Sequence, residues 1–288
     1  MFVDGQMHCV KERGTTDDSR FISIGGKKYV ARFTKSLLKL ERIVDEYKRI
    51  GFFQLSGSIR RRNYQEQLRL AQRCNTLGVI TPSPICHFNN NDLTSIQPTT
   101  ENGMLLRNPF LSEFPSEQEE TIIYPFIPGV TLSTFLATPS RTQEWLEWKR
   151  KVILRQLYDL NVCHKHGIIM GDRWGPNQIV FFSGGFALEP NLAHIDIDLD
   201  ISKNLESGEY NQNAAVFEVA QVLYHILFWI NPAERESTFR KVLKPEWQKI
   251  ENNYDKDTLY FLLEGHRNHF NTNDVHYSFP ESTLLTQL

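Results

Sequence analysis

The sequence of 288 residues is poor in cysteine and lacks long apolar runs. Its four cysteines, Cys9, Cys74, Cys86 and Cys163, have no C-x-x-C spacing, so zinc or thioredoxin-like chemistry has no support. No apolar run reaches the roughly 18–20 residues of a transmembrane helix, and the N-terminal stretch does not resemble a signal peptide. We therefore expect reduced thiols and a cytoplasmic protein, acting either in its own cell or after delivery to a host cell.

A strong excess of one charge is also missing. The net charge is −2 at pH 7 and the pI is about 6.5, so we expect no nucleic-acid partner. The one dense basic run, Arg60–Arg62, is either a solvated surface or a specific anion site. Hydrophobic residues make up 40% of the chain, which is enough to bury a core without metal or disulfide support.

The first part of the chain has the pattern of strands and turns. A hairpin signal at Gly25-Gly26 separates two alternating segments, and a polar, turn-rich stretch at 89–119 predicts a loop. The predicted strands are 7–13, 20–24, 28–33 and 121–127, and the predicted helices are 37–50 and 63–77.

The second part of the chain is richer in helix. Long helices are predicted at 145–166 and 214–229, with short β-like pieces at 168–170, 178–182 and 192–197. The order predicts an α+β chain with an antiparallel-sheet N-lobe and a mainly helical C-lobe. We expect the N-lobe to cover 1–124, a hinge 125–129 and the C-lobe 130–288.

The residues with the clearest chemical potential are Asp172 and Asn177. A carboxylate on a tight loop can accept a proton from an attacking hydroxyl, and an amide five residues later can hold a divalent metal. Taken alone, this spacing is equally compatible with an ordinary surface loop. It resembles the catalytic loop of protein kinases, in which an Asp and a metal-binding Asn enclose four spacer residues.

Four further segments extend this resemblance. Upstream, the helix ending in CHKHGII is similar to the kinase stretch before the catalytic loop. Downstream, the apolar strand ending in Asp196 resembles the one that carries the second magnesium ligand, with Asp198 as the fallback. The segment 61–85 and the stretch TIIYPFIPGVTL at 121–132 resemble atypical kinases, in particular the Rio/Bud32-like and lipopolysaccharide Kdo/heptose kinase-like branches.

The resemblance implies a bilobal protein-kinase-like fold, ATP and Mg²⁺ as cofactors, and a hydroxyl acceptor on a protein or on a small molecule such as a sugar. It assigns proton transfer to Asp172 and magnesium binding to Asn177 and Asp196. Glu66 takes the position of the helix glutamate that pairs with a strand cation, here Arg32. The adenine would face the backbone of Phe126 and Ile127.

The sequence departs from the kinase pattern at two phosphate-binding positions. Gly14 is the only glycine between the first two strands, where kinases carry a glycine-rich loop, so backbone groups around it would cover the phosphates. Arg32 stands where a lysine is usual, with Lys28 and Lys35 as possible substitutes, and its planar guanidinium is not equivalent to an ammonium. These departures keep a second hypothesis open, a pseudokinase that binds nucleotide or a protein partner without catalysis.

Overall fold

The computed structural model describes residues 8–10, 19–24, 26–33, 37–89, 120–183, 189–204 and 206–273. The predictions about Gly14, Lys35 and residues 90–119 lie outside these ranges. The described chain is α+β, with antiparallel sheets and a mainly helical part, as the sequence predicted. Within these residues, no helix combines the length and apolar composition that a membrane crossing requires.

The largest sheet is antiparallel and has five strands in the order β1-β2-β3-β6-β5. Its strands are β1 (His8–Val10), β2 (Ser19–Ile24), β3 (Lys27–Phe33), β5 (Cys86–Asn89) and β6 (Glu120–Pro125). Gly26 turns the β2–β3 hairpin with a φ of 75°, which glycine adopts without the steric cost of a Cβ. Arg32 on β3 lies opposite Ile122 on β6.

Two small antiparallel sheets lie outside this one. The first has the order β7-β8-β9 and the second joins β10 to β4. The strands are β4 (Arg60–Arg61), β7 (Val130–Thr131), β8 (Gln178–Ser183), β9 (Glu189–His194) and β10 (Leu199–Asp200).

Eight α-helices lie in the described residues. They are α1 (Leu37–Ile50), α2 (Tyr64–Thr76), α3 (Leu132–Ala137), α4 (Gln143–Lys165), α5 (Gln212–Trp229), α6 (Pro232–Thr238), α7 (Lys244–Trp247) and α8 (Lys256–Asn273). Short 3₁₀ turns occur at Phe52–Leu55, Gly175–Asn177 and Glu251–Asn253, and Phe239–Leu243 forms a π-helical turn.

The main hydrophobic core surrounds α5, which is buried from Ala214 to Leu227. Helix α1 belongs to this core, because Tyr47 and Ile50 are almost completely buried there together with Phe52. Thus α1 packs against α8 and the helical part, although in sequence it lies between strands β3 and β5 of the large sheet. The predicted lobe bounds, with a hinge at 125–129, stay a prediction.

Helix α2 links the sheet to the loop that follows α4. It begins with a capping box between Asn63 and Glu66, which satisfies two backbone N–H groups at the helix start. Its buried face consists of Gln67, Leu70, Ala71 and Cys74, at helical spacing. This face joins a second hydrophobic cluster, to which the chain before Asp172 contributes Ile168 and Met170 and the chain after Asp196 contributes Ile197.

Two predicted strand segments differ from the structure. Residues 168–170 form no strand, because the carbonyl groups of Ile169 and Met170 accept hydrogen bonds from a side chain instead of a neighbouring strand. The strand predicted at 192–197 ends at His194. Asp196 has a φ of 60°, which is incompatible with extended backbone.

Candidate active site

The loop that carries Asp172 begins at Gly171, a position at which the structure requires glycine. Gly171 has a φ of 110°, and a Cβ at this position would lie 2.3 Å from the carbonyl oxygen of Leu199. Only glycine allows both the dihedral angle and this close approach. The loop therefore passes directly against the segment that follows Asp196, and Asp172 itself is buried.

Two polar side chains of the apolar helix α5 hold the loop on either side of Asp172. The Glu218 carboxylate accepts a hydrogen bond from the Gly171 N–H at 2.6 Å, and the Gln221 carbonyl accepts one from the Arg173 N–H at 3.2 Å. Glu218 also contacts the His164 ring at 2.7 Å. Because these acceptors sit on a buried helix, the backbone around Asp172 has a fixed position.

A buried chain of hydrogen-bonded side chains fixes Arg173, the residue after Asp172. The guanidinium of Arg173 donates to Nδ1 of His194 at 2.6 Å, and His194 Nε2 lies 2.8 Å from an Asp159 oxygen. Since a guanidinium can only donate, His194 must be the neutral tautomer with its proton on Nε2. Burial and the nearby Arg173 charge lower the pKa of His194 to about 4. This chain joins the loop to α4 and β9.

The structure brings Asn177 close to both of its predicted partners. Its side-chain N–H group donates to the backbone oxygen of Asp172 at 3.4 Å, and its own backbone carbonyl accepts from the Ile195 N–H at 3.0 Å. Asp196 follows directly, with the left-handed φ noted above. Such a conformation costs of order 1–3 kcal/mol in a residue other than glycine and is often found at functional sites.

Asp196 pairs with the strand cation. The Arg32 guanidinium lies 2.7 Å from the Asp196 carboxylate, and both side chains are largely buried. Burial opposes the charge of Arg32, but Asp196 and then Asp198 outweigh it and raise the pKa of the guanidinium. Thus β3, the loop that carries Asp172 and Asn177, and the Asp196 segment lie next to one another.

The predicted pair of Arg32 and Glu66 is absent, and each residue has another partner. Glu66 closes the capping box of α2 and pairs with Arg60 at 2.8 Å. Glu66 lies one position off the buried face of its helix, which Gln67 occupies. Gln67 accepts a hydrogen bond from the Tyr124 hydroxyl and donates to the Arg62 carbonyl at 2.8 Å. An amide therefore takes the inward position that the sequence interpretation gave to the glutamate.

Arg62 is a central residue that the sequence interpretation missed. Its buried guanidinium donates to the carbonyl groups of two segments and lies 3.3 Å from the Asp200 carboxylate. The carbonyl groups belong to Ile169, Met170, Ile197 and Leu199. A single side chain therefore ties the chain before Asp172 to the chain after Asp196, so the basic run 60–62 is not simply a solvated surface.

The predicted adenine-facing segment lies at the end of β6. The ring of Phe126 packs edge-on against Phe21 at 5.4 Å between centroids, and the Lys28 ammonium lies 4.5 Å from the Phe126 ring. Lys28 thus points to aromatic rings and also contacts Phe21. Adenine contacts by the backbone of Phe126 and Ile127 stay a prediction.

The donor set of the site suits magnesium. In the described part of the chain, no three His, Cys, Asp or Glu side chains form a metal-binding group. Magnesium does not need one, because it is usually bound by one or two protein oxygens together with substrate phosphates and water. A carboxylate from Asp196 and an amide oxygen from Asn177 match that requirement.

Comparison with known proteins gives structural likeness only. Searches with family models and among curated proteins find no match. Among solved structures, WaaP in complex with acyl carrier protein is 12% identical, with a TM-score of 0.47, over 94% of this chain and 90% of that one. A double mutant of the PknI kinase domain of Mycobacterium tuberculosis is 11% identical, with a TM-score of 0.43, over 92% and 96%. Both TM-scores are below 0.5, so these likenesses carry no information about function.

Proposed function

We propose that the protein is an ATP-dependent phosphotransferase that transfers the γ-phosphate to a hydroxyl group. The observation that carries this proposal is the junction of Asp172, Asn177 and Asp196 through the contacts described above, with Arg32 at its edge. Phosphoryl transfer depends on positioning and charge neutralisation more than on covalent chemistry. A partly buried set of acidic and amide groups beside a cation supports that task.

Each residue has a distinct role in this proposal. Asp172 orients the acceptor hydroxyl and takes up its proton. Asn177 and Asp196 would hold Mg²⁺, which neutralises phosphate charge when bound. Arg32 would contact the α- and β-phosphates once a metal competes for Asp196. Glu66 is left with a structural role at the start of α2, because its carboxylate is engaged by Arg60.

A small-molecule acceptor is favoured over a protein. The chain after Asp196 is short and fixed against the segment before β4, where Ser58 donates to the Lys203 carbonyl at 2.7 Å and Gly57 forms a β-bridge with Asn204. It then enters α5 at Gln212. The chain between Asp196 and α5 therefore offers little surface on which an extended peptide could dock.

A binding role without catalysis is the second candidate, and the Arg32–Asp196 pair favours it. In the structure, Arg32 engages the carboxylate that catalysis would need for magnesium. A pseudokinase would keep this pair and bind nucleotide without metal, or bind a protein partner. The two candidates therefore differ in how nucleotide affinity depends on magnesium.

Magnesium-dependent ATP turnover, measured with and without a panel of hydroxyl acceptors, tests the proposal. We expect Asp172→Ala to lower kcat by about 10²–10⁴-fold, the usual contribution of a positioned general base, and Asp196→Ala to weaken magnesium-dependent ATP binding. Asp45→Ala, which removes a carboxylate whose side chain is 62% exposed, is the matched control. Nucleotide affinity that is unchanged by magnesium and by Asp196→Ala, with no turnover, would establish the binding role instead.

A further inference from the structure

Glu46 on α1 is a half-buried acidic residue that the proposed catalytic roles leave unexplained. Its Oε1 atom is inaccessible to solvent and has no hydrogen-bond partner among the described residues. Buried carboxylate oxygens are normally paired, because burial without a partner costs free energy. An unpaired oxygen at such a position suggests that a ligand completes its hydrogen bonding.

The packing of α1 brings this carboxyl to the edge of the candidate active site. Glu46 lies three residues after Ile43 and four before Ile50, both of which pack into the core, so it belongs to the inward face of the helix. The hydroxyl of the adjacent Tyr47 accepts a hydrogen bond from Gln221 at 3.3 Å. Gln221 in turn holds the Arg173 N–H, next to Asp172.

The electrostatics place Glu46 and Asp172 in the same poorly solvated region. Burial, and next the negative charge of Asp172, raise the pKa of the Glu46 carboxyl to about 8. Near neutral pH this carboxyl is largely protonated, so it can both donate and accept a hydrogen bond. A group of this kind suits a neutral hydroxyl better than a second anion.

We propose that Glu46 is an acceptor-binding residue that holds a second hydroxyl group, adjacent to the hydroxyl that Asp172 orients. This inference rests on the proposed phosphotransferase function. The acceptor is then a compound with neighbouring hydroxyl groups, held at two points by carboxyls from two different elements, α1 and the loop after α4. Two-point binding fixes the reacting oxygen in direction as well as in position, which a single contact with Asp172 cannot do.

The test compares phosphate transfer from MgATP to four probe acceptors, D-mannose, myo-inositol, glycerol and a serine-containing peptide. For the polyhydroxyl probes, Glu46→Ala should raise the acceptor KM about 10–100-fold, as expected for one lost hydrogen bond to a carboxyl. The KM for ATP should change less than about threefold, because Glu46 touches the acceptor and not the nucleotide. Glu46→Gln should restore much of the loss, because an amide also donates and accepts, and Asp45→Ala on the exposed side of α1 should have no effect.

Several results would overturn the inference. One is an acceptor KM in Glu46→Ala that stays close to the wild-type value, and another is phosphorylation of the serine peptide alone. An equal rise in the KM for ATP would mean that the substitution disturbs the whole site. Absence of MgATP binding and turnover in the wild type would refute the phosphotransferase function and this inference together, and it is recognisable because it precedes any comparison of variants.

Discussion

Replacement of Arg62 by methionine should destabilise the protein strongly. The guanidinium is 7% exposed and serves four backbone carbonyl groups and the Asp200 carboxylate. Methionine fills much of the volume but donates no hydrogen bond, so these acceptors lose their partner inside a packed region. Removal of one member of a buried charged network costs about 3–5 kcal/mol. The lower half of this range applies if Arg60, which lies 2.5 Å from Asp200, compensates that carboxylate.

The expected loss is large enough for ordinary unfolding experiments. At about 2–4 °C per kcal/mol for a chain of this size class, Tm should fall by roughly 6–20 °C. Urea unfolding should give the free-energy difference directly. Arg62→Lys should lie between the wild type and Arg62→Met, because an ammonium keeps the charge but cannot reproduce the planar fork that reaches two segments.

Arg240→Met is the control for the loss of an arginine as such. Its guanidinium is 58% exposed and pairs with the exposed Glu236, so the substitution should cost less than about 0.5 kcal/mol. If Arg62→Met lost less than about 1 kcal/mol, the carbonyl groups would have other partners available, and the view of Arg62 as the link between the two segments would be wrong. Catalytic loss without destabilisation would contradict it as well.

Two further predictions concern the loop and the core. Gly171→Ala should cost at least about 1–3 kcal/mol of unfolding free energy from its φ alone. Gly167→Ala should cost less, because Gly167 has a φ of 63° but no atom lies within 4 Å of the new Cβ. Equal losses in the two variants would argue against the close contact between position 171 and Leu199. Burial lowers the pKa of His225 from 6.5 to about 3, so the unfolded chain binds the proton more tightly and stability falls as pH drops below 6.5. By about pH 5 this residue should account for about 2 kcal/mol of lost stability, and urea unfolding of His225→Phe should show a pH dependence that is smaller by that amount.

The elements with strong local patterns were predictable from the sequence. Helix α1 runs from Leu37 to Ile50 as expected, since its apolar residues recur at helical spacing. The β2–β3 hairpin was indicated by Gly25-Gly26 between alternating segments. Such elements are specified by residues that are close in sequence, so a single chain without relatives reveals them.

The environment of the candidate site was less predictable, because it depends on contacts between distant residues. Glu66 had the right sequence context for a pair with Arg32, but its neighbours Asn63 and Arg60 offered partners close at hand. The capping box was visible as an Asn followed three residues later by a Glu. That local signal outweighs the resemblance, because the helix start needs the carboxylate for its own backbone.

Sequence signals for two of the missed residues existed but were ambiguous. Glu218 is the only acidic residue of α5, a helix otherwise buried over its central 14 residues, and a lone charge in such a helix indicates a specific buried partner. Its partner, the Gly171 N–H, is 47 residues away, so the sequence could not identify it. Arg62 was obscured by two neighbouring arginines, of which one forms surface pairs.

The location of Glu46 explains why a resemblance based on motifs gives an incomplete account of this site. The motif residues Asp172, Asn177 and Asp196 come from loops whose spacing can be recognised in sequence. Glu46 reaches the same region only because α1 joins the helical core, through Tyr47 and its bond to Gln221. Residues that select an acceptor need not share the spacing that phosphate chemistry imposes, since each acceptor presents different groups. Under the proposed acceptor-binding role of Glu46, the packing of α1 carries the information about substrate choice that the motifs lack.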